Sequence, residues 1–251
     1  MLKALLMKLT ALNLRAVFVK GRETAPLFTA ASVVFGVFLY FDEAAERRDD
    51  RLIAAWQLLS TPANGNTGKI GALEVLVAAG QPLVGIDLGC IPEPYHETRM
   101  ICRRGVYLDG VRLSDANLTN ATFEGADLRA ADFSRATLHR TTFTRADLTG
   151  AQMANAALTN AILPGASVEG VVFDGTDLSA TSFRTAHVSG ADFRNATGLE
   201  TALFHNAWAW DDNPPRGLPD DQIRLCDSAE RTDRDYVDRF AAPRGCPRLS
   251  P

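Results

Sequence analysis

The chain has 251 residues, with 26 Lys and Arg against 30 Asp and Glu, for a formal net charge of −4. That balance excludes a protein whose whole surface is a basic, phosphate-seeking field. Hydrophobic residues at 46% and charged residues at 22% are those of a folded chain. Four Cys without a C-x-x-C pair support neither a disulfide scaffold nor a zinc finger.

The elements are expected in the following order. Over residues 1–23, Leu2, Leu5, Leu6, Leu9 and Leu12 recur at helical spacing, flanked by Lys3, Lys8 and Arg15. This pattern suits a basic amphipathic helix on an anionic cytoplasmic leaflet, with an ordinary surface helix as the competing reading. Residues 24–41 then give 18 positions without a charged side chain. At ~1.5 Å per residue such a helix spans ~27 Å, close to the hydrocarbon thickness of a bilayer. An uncleaved single-pass transmembrane helix is expected there, ahead of a buried core helix or a signal peptide, because bulky and then acidic residues follow it directly. Five cations upstream (Lys3, Lys8, Arg15, Lys20, Arg22) against three downstream (Arg47, Arg48, Arg51) place the N-terminus in the cytoplasm. The expected location is a bacterial-type inner membrane, with the remainder of the chain extracytoplasmic. All four Cys lie on that exported side, and an even number there fits two local bridges, Cys90–Cys102 and Cys226–Cys246. Free thiols remain an open alternative.

Residues 42–105 read as a helical linker and cap. A charged stretch from Asp42 to Arg51 leads into Leu52, Ile53, Trp56 and Leu59, and a loop from Thr61 to Gly68 leads to a short helix with Ile70, Leu73, Leu76 and Val77. Ile86-Asp87-Leu88 then imitates one unit of the repeat that follows. Leu88 falls 20 residues before Leu108, which suggests a degenerate first turn.

From Val106 the chain repeats every five residues. Stepping from 108 to 203 gives twenty slots, and nineteen hold a large apolar residue, the exception being Gly198. Two residues before each slot the occupant is Ala, Val or Thr. Neither a helical period of about 3.6 nor a strand period of about 2 explains this. A coil that turns a corner every five residues does, with four sides to a turn and turns stacked at the strand spacing of ~4.8 Å. Sorting by twenty gives four sides. Side A collects Leu108, Leu128, Leu148, Val168 and Val188, and side B collects Leu113, Phe133, Met153, Phe173 and Phe193. Side C collects Leu118, Leu138, Leu158, Leu178 and Gly198, and side D collects Phe123, Phe143, Leu163, Phe183 and Leu203. Phe is confined to the opposite sides B and D, so rings are expected to stack between turns. Gly110, Gly150, Gly170 and Gly190 recur at one corner.

Ala116-Asn117-Leu118, Ala126-Asp127-Leu128, Ala131-Asp132-Phe133, Ala146-Asp147-Leu148 and Ala191-Asp192-Phe193 resemble the A-[DN]-[LF]-x-x motif of pentapeptide repeat proteins. The resemblance implies a mainly β fold over 106–207, a right-handed quadrilateral parallel β-helix of about five turns and ~24 Å. Ala157, Ile162 and Val172 depart from the motif's polar position, and Gly198 leaves an inward slot empty. Residues 208–251 are expected to cap the stack, with Trp208 and Trp210 lying across the last turn and a polar helix near 227–240.

Catalytic chemistry is not evident. Asn64-Gly65-Asn66-Thr67-Gly68-Lys69 fails as a phosphate loop, since Ala63 and Ile70 stand at two required positions. His139, His187 and His205 sit at different phases of the repeat, are expected to be exposed, and do not align as a metal cluster. The motif carboxylates Asp127, Asp132, Asp147, Asp177 and Asp192 read as solvating a wall. No catalytic, cofactor or metal site is expected, and no small-molecule substrate. A partner surface could involve a belt of Arg129, Arg135, Arg140 and Arg145 with the exposed Ile162 and Val172, though scattered surface charge is the preferred reading. The expected function is therefore a non-catalytic, membrane-anchored scaffold or protein-interaction module whose partners are a membrane and a protein, not nucleic acid. The alternative, carried by the resemblance, is a DNA mimic acting on an enzyme such as gyrase.

Overall fold

The computed structural model describes residues 25–61, 68–89, 105–219, 222–230 and 246, with the backbone alone for 25–35 and 38. Contacts divide the chain into two units, Met1–Asp50 and Arg51–Pro251. Helix α1, Ala25–Ser60, runs without a break across that division. Sequence reading divides this stretch into an anchor and a separate charged helix, but no Gly-Pro signal interrupts it and the charged residues are good helix formers. Among the described residues no helix is long and apolar enough to cross a membrane. The expected amphipathic segment 1–23 lies outside the described residues.

In the second unit, the end of α1 buries Ala55 and Leu59, while Ile53 and Trp56 stay exposed. Helix α2, Lys69–Ala78, buries Leu73 and Leu76 completely. A bidentate pair fastens it to the repeat: Arg112 Nε donates to Glu74 Oε1 at 3.1 Å and Nη2 to Oε2 at 3.2 Å.

The stack itself is a ladder of parallel pairings at an offset of twenty, from Tyr107 with Asp127 up to Asp177 with Thr197. Each inward residue donates its N–H one turn up and the residue before it donates one turn down, as in Leu128 to Asp147 O (2.8 Å) and Asp127 to Val106 O (3.0 Å). Corners are closed by bonds such as Val111 N–H to Leu108 O at 3.1 Å. From Leu108 to Ala191 the third residue of each such turn has positive φ, as a type II turn requires, whereas Asn195 in the next turn does not. This holds at all four corners, so the glycines at one corner are not its special mark. Arg135, Arg140 and Arg145 adopt φ of 58°, 55° and 56° at equivalent places.

The bore is filled by side chains, and every slot from Leu108 to Phe193 is fully buried. Rings on one side stack between turns, Phe123 on Phe143 at 5.3 Å and Phe173 on Phe193 at 4.7 Å. Across the bore they meet edge to face, Phe133 with Phe143 at 5.8 Å and Phe173 with Phe183 at 5.7 Å. Thr141, Thr176 and Thr181 point inward too. Each hydroxyl donates to a carbonyl of the turn beneath, on Leu118, Met153 and Leu158, at 3.0, 2.6 and 2.8 Å. A buried hydroxyl is tolerated because that bond replaces water.

Both ends differ from the sequence reading. Leu88 does not lie beneath Leu108. Its N–H bonds Thr122 O at 2.7 Å, beneath Phe123 on side D, while Leu83 N–H bonds Asn117 O at 2.9 Å on side C. Asp87 accordingly pairs with Thr122. Leu83, Leu88, Leu108 and Leu113 thus make one turn, and residues 90–104, outside the described set, intervene between its second and third sides. At the other end the offset rises to 21, with Ser182 paired to Leu203 and His187 to Trp208. One residue has been inserted after Gly198, so Phe204 fills the side D slot and stacks on Phe183 at 5.0 Å, while Leu203 turns outward. Gly198 has φ +75°, and a Cβ there would come within 2.7 Å of Ser179 Cα, so the empty slot serves a close backbone approach.

Strand β1, Trp208–Trp210, continues side A, and β2, Arg224–Cys226, pairs with it in parallel above. Cys226 is disulfide-bonded to Cys246, and both pack with Trp208 and Trp210. A 3₁₀ turn, Ser228–Glu230, follows. Of the stretch 227–240, where a helix is expected, only 227–230 are described and they hold that turn, and 231–240 lie outside the described residues, as do Cys90 and Cys102.

Candidate interaction surface

The motif carboxylates do not simply face water. Asp132, Asp147, Asp177 and Asp192 accept the N–H of the residue two positions on, at 2.9 to 3.1 Å, and so brace each corner from outside. Ser114 and Thr159 add hydroxyl bonds from the turn below to Asp132 (2.6 Å) and Asp177 (2.8 Å). These bonds hold Asp177 below the usual carboxylate range, the Ser179 hydroxyl contributing most. For Asp132, burial pushes upward, but the hydroxyls of Ser114 and Ser134 outweigh it and the net direction is down.

The arginines of the expected belt fall into two groups. Arg129, half-buried on side A, grips Asp127 with both nitrogens at 2.7 Å and lies 3.8 Å from Asp109 and Asp147. Arg135 grips Asp115 of the turn below at 2.7 and 2.6 Å, which lowers the Asp115 pKa. Arg140 and Arg145 are exposed at the two corners bounding side D and form no ion pair among the described residues. Ile162 and Val172 are 43% and 47% exposed. They lie on opposite sides, Ile162 pairing with Ser182 on side D and Val172 with Asp192 on side B, so they make no common patch.

Around Val172 a groove of about 280 Å³ is lined by Asp174, Asp192, Arg194 and Asn195. Its polar groups satisfy one another. Arg194 Nη2 meets Asp192 at 2.6 Å and Asn195 Nδ2 donates to Asp174 at 2.8 Å. The Arg194 guanidinium pulls the Asp192 carboxyl down to about 2.

His187 is buried, contrary to the expectation of exposure, because the cap strand lands on it. Its ring stacks on Trp208 at 4.0 Å, and Nε2 lies 2.7 Å from Ser189 Oγ, which accepts the Trp210 N–H at 2.8 Å. Lys69, at the end of the failed phosphate loop, is buried at the start of α2; burial lowers its pKa and Asp87 acts in the opposite direction. Among the described residues no group of three His, Cys, Asp or Glu could hold a metal.

The five-residue coil with its inward apolar slots is the signature matched by the family model for pentapeptide repeats, in eight copies over 104–135, 112–150, 126–165, 151–190 and 165–197. Residues 104–197 are pentapeptide repeats. Their fold is the right-handed quadrilateral β-helix expected from the motif. No curated protein matches the chain. Solved structures similar to it include HetL, a pentapeptide repeat protein involved in heterocyst differentiation regulation from the cyanobacterium Nostoc sp. strain PCC 7120. That match has 26% identity and a TM-score of 0.31, over 51% of this chain and 59% of HetL. Rfr23 from the cyanobacterium Cyanothece 51142 matches at 21% identity and TM-score 0.30, over 61% of this chain and 97% of its own. QnrB1, a plasmid-mediated fluoroquinolone resistance protein, matches at 16% identity and TM-score 0.30, over 48% and 70%.

Proposed function

We propose that the chain is a non-catalytic interaction module, a stiff pentapeptide-repeat tube carried on a membrane by residues 24–41. The observation that carries the first half is the use made of the surface carboxylates. Asp132, Asp147, Asp177 and Asp192 are each bonded to their own corner, where they hold the backbone. The tethering half is supported by the 18 uncharged positions of residues 24–41 in the sequence. An extracytoplasmic repeat is supported by the Cys226–Cys246 bond, which suits an oxidising compartment.

The test is fractionation of the full chain from cells, followed by protease treatment of intact spheroplasts and of inverted vesicles. The chain should stay with membranes after carbonate washing, and the repeat should be cleaved only from the outer face. Release by carbonate would remove the anchor, and cleavage only in inverted vesicles would reverse the orientation. The DNA-mimic alternative has thinner support, because Asp115, Asp127 and Asp192 are neutralised by Arg135, Arg129 and Arg194 and do not stand as a row of bare charges.

A further inference from the structure

Side D differs from sides A and B in what its cations do. On those two sides Arg112, Arg129, Arg135 and Arg194 are held by Glu74, Asp127, Asp115 and Asp192. On side D, Arg140 and Arg145 stand at the two ends of one pentad, and Arg184 lies two turns above Thr144, roughly 10 Å along the stack. All three are exposed and form no ion pair among the described residues. The acids of this side are Glu124, Asp87 beside Lys69 at its lower end, and Glu200 near its top.

The pairing column between those arginines is flat and uncharged: Thr122, Thr142, Ile162, Ser182 and Leu203. Ile162 and Leu203 are 43% and 52% exposed. Arg140 and Arg145 moreover occupy left-handed corners, φ 55° and 56°, where glycine would cost the backbone less. Backbone strain is thus carried by two cations that form no ion pair among the described residues.

We propose that side D is the docking face of this module and that its occupant is an acidic protein segment. Carboxylates of that segment meet Arg140, Arg145 and Arg184, and its apolar side chains cover Ile162 and Leu203. Charge complementarity selects the partner, since three unpaired guanidiniums surround an uncharged strip that exposes Ile162 and Leu203. The inference rests on the interaction-module reading and names its face and partner chemistry.

The strain makes the test two-sided. The full chain in detergent is titrated into a labelled peptide of three Asp-Leu-Glu-Ser-Gly repeats, with the Asn/Gln version of the same peptide as control. The acidic peptide should bind saturably and the neutral one should not. Arg140→Gly with Arg145→Gly should weaken binding about tenfold while leaving the melting temperature unchanged or raised. Arg135→Gly, an equivalent corner whose cation is held by Asp115, should leave binding unaltered. Equal binding by the double glycine variant, or no saturable binding to the native chain, overturns the proposal. An oligonucleotide of equal charge that binds as tightly through the same two arginines overturns it in favour of nucleic acid. Peptide binding lost in Arg135→Gly alone removes side D but leaves the module reading standing, whereas turnover of a substrate by the full chain removes the module reading itself.

Discussion

At the scale of single residues, the corner position is where backbone and side chain compete. Every corner from Gly110 to Gly190 has positive φ, yet Ala130 (52°), Arg135 and Thr185 (57°) occupy it as well as glycine. An L-residue there costs roughly 1–2 kcal/mol relative to glycine. Ala130→Gly should therefore raise unfolding stability by about 1 kcal/mol, read by urea denaturation, and Gly150→Ala should lower it by a similar amount. Gly198→Ala should cost more, about 1–3 kcal/mol beyond that, because its Cβ would meet Ser179 backbone. Equal costs at Gly150 and Gly198 would argue against the close approach. Residue-scale features were unevenly legible. The inward slots could be read one by one, but the bracing role of Asp132 and Asp177 could not, because it depends on where the N–H two residues later points after the corner.

At the scale of elements, the bore is held by layers. Phe183 touches Phe173 and Phe193 edge to face and stacks on Phe204. Phe183→Ala should cost about 3–5 kcal/mol in denaturant titration, the range for losing a buried ring and leaving a cavity. The inward Thr181 makes a smaller and separable contribution. Thr181→Val keeps the shape but removes the bond to Leu158 O, and about 1 kcal/mol should be lost. A null effect would mean that the hydroxyl is satisfied equally well in the unfolded chain. The cap is a further element. Cys226–Cys246 closes a stretch of 20 residues over Trp208 and Trp210, so reduction should destabilise it by about 3 kcal/mol and shift tryptophan emission. Trp208 and Trp210 could be read as a cover from sequence alone, but the burial of His187 beneath Trp208 could not, since Trp208 comes over it only through the residue inserted after Gly198.

At the scale of the whole molecule, stability should follow carboxylate ionisation. Glu74, Asp115, Asp177 and Asp192 all have pKa values below the unfolded range, through Arg112, Arg135, Ser179 and Arg194 respectively. A depressed folded pKa contributes stability that is complete above the unfolded value of about 4 and is lost as pH falls through the folded value. Melting temperature should therefore be flat near neutrality and decline from about pH 4 toward pH 2. A rise over that window would contradict the pairing scheme. The partner surface is also a whole-molecule property. Arg140 and Arg145 were visible in the sequence beside Arg129 and Arg135, but only the fold divides them into unpaired and paired. Arg184 and Leu203 were not singled out, although listing outward residues by side would have placed them with Ile162.

The sequence alone was enough to establish a coil of five-residue sides, its four-sided bore and the confinement of Phe to opposite sides. Those follow from a local period that every successive pentad repeats, so each unit confirms the register of the last. Tertiary structure decided what happens where the period lapses. Leu88 sits beside Leu108 in one turn and not beneath it, and Phe204 displaces Leu203 from the bore. In both places the count of residues no longer dictates position. Register is chosen instead by which backbone groups of a distant turn remain to be paired and which apolar side chain can close the end of the bore.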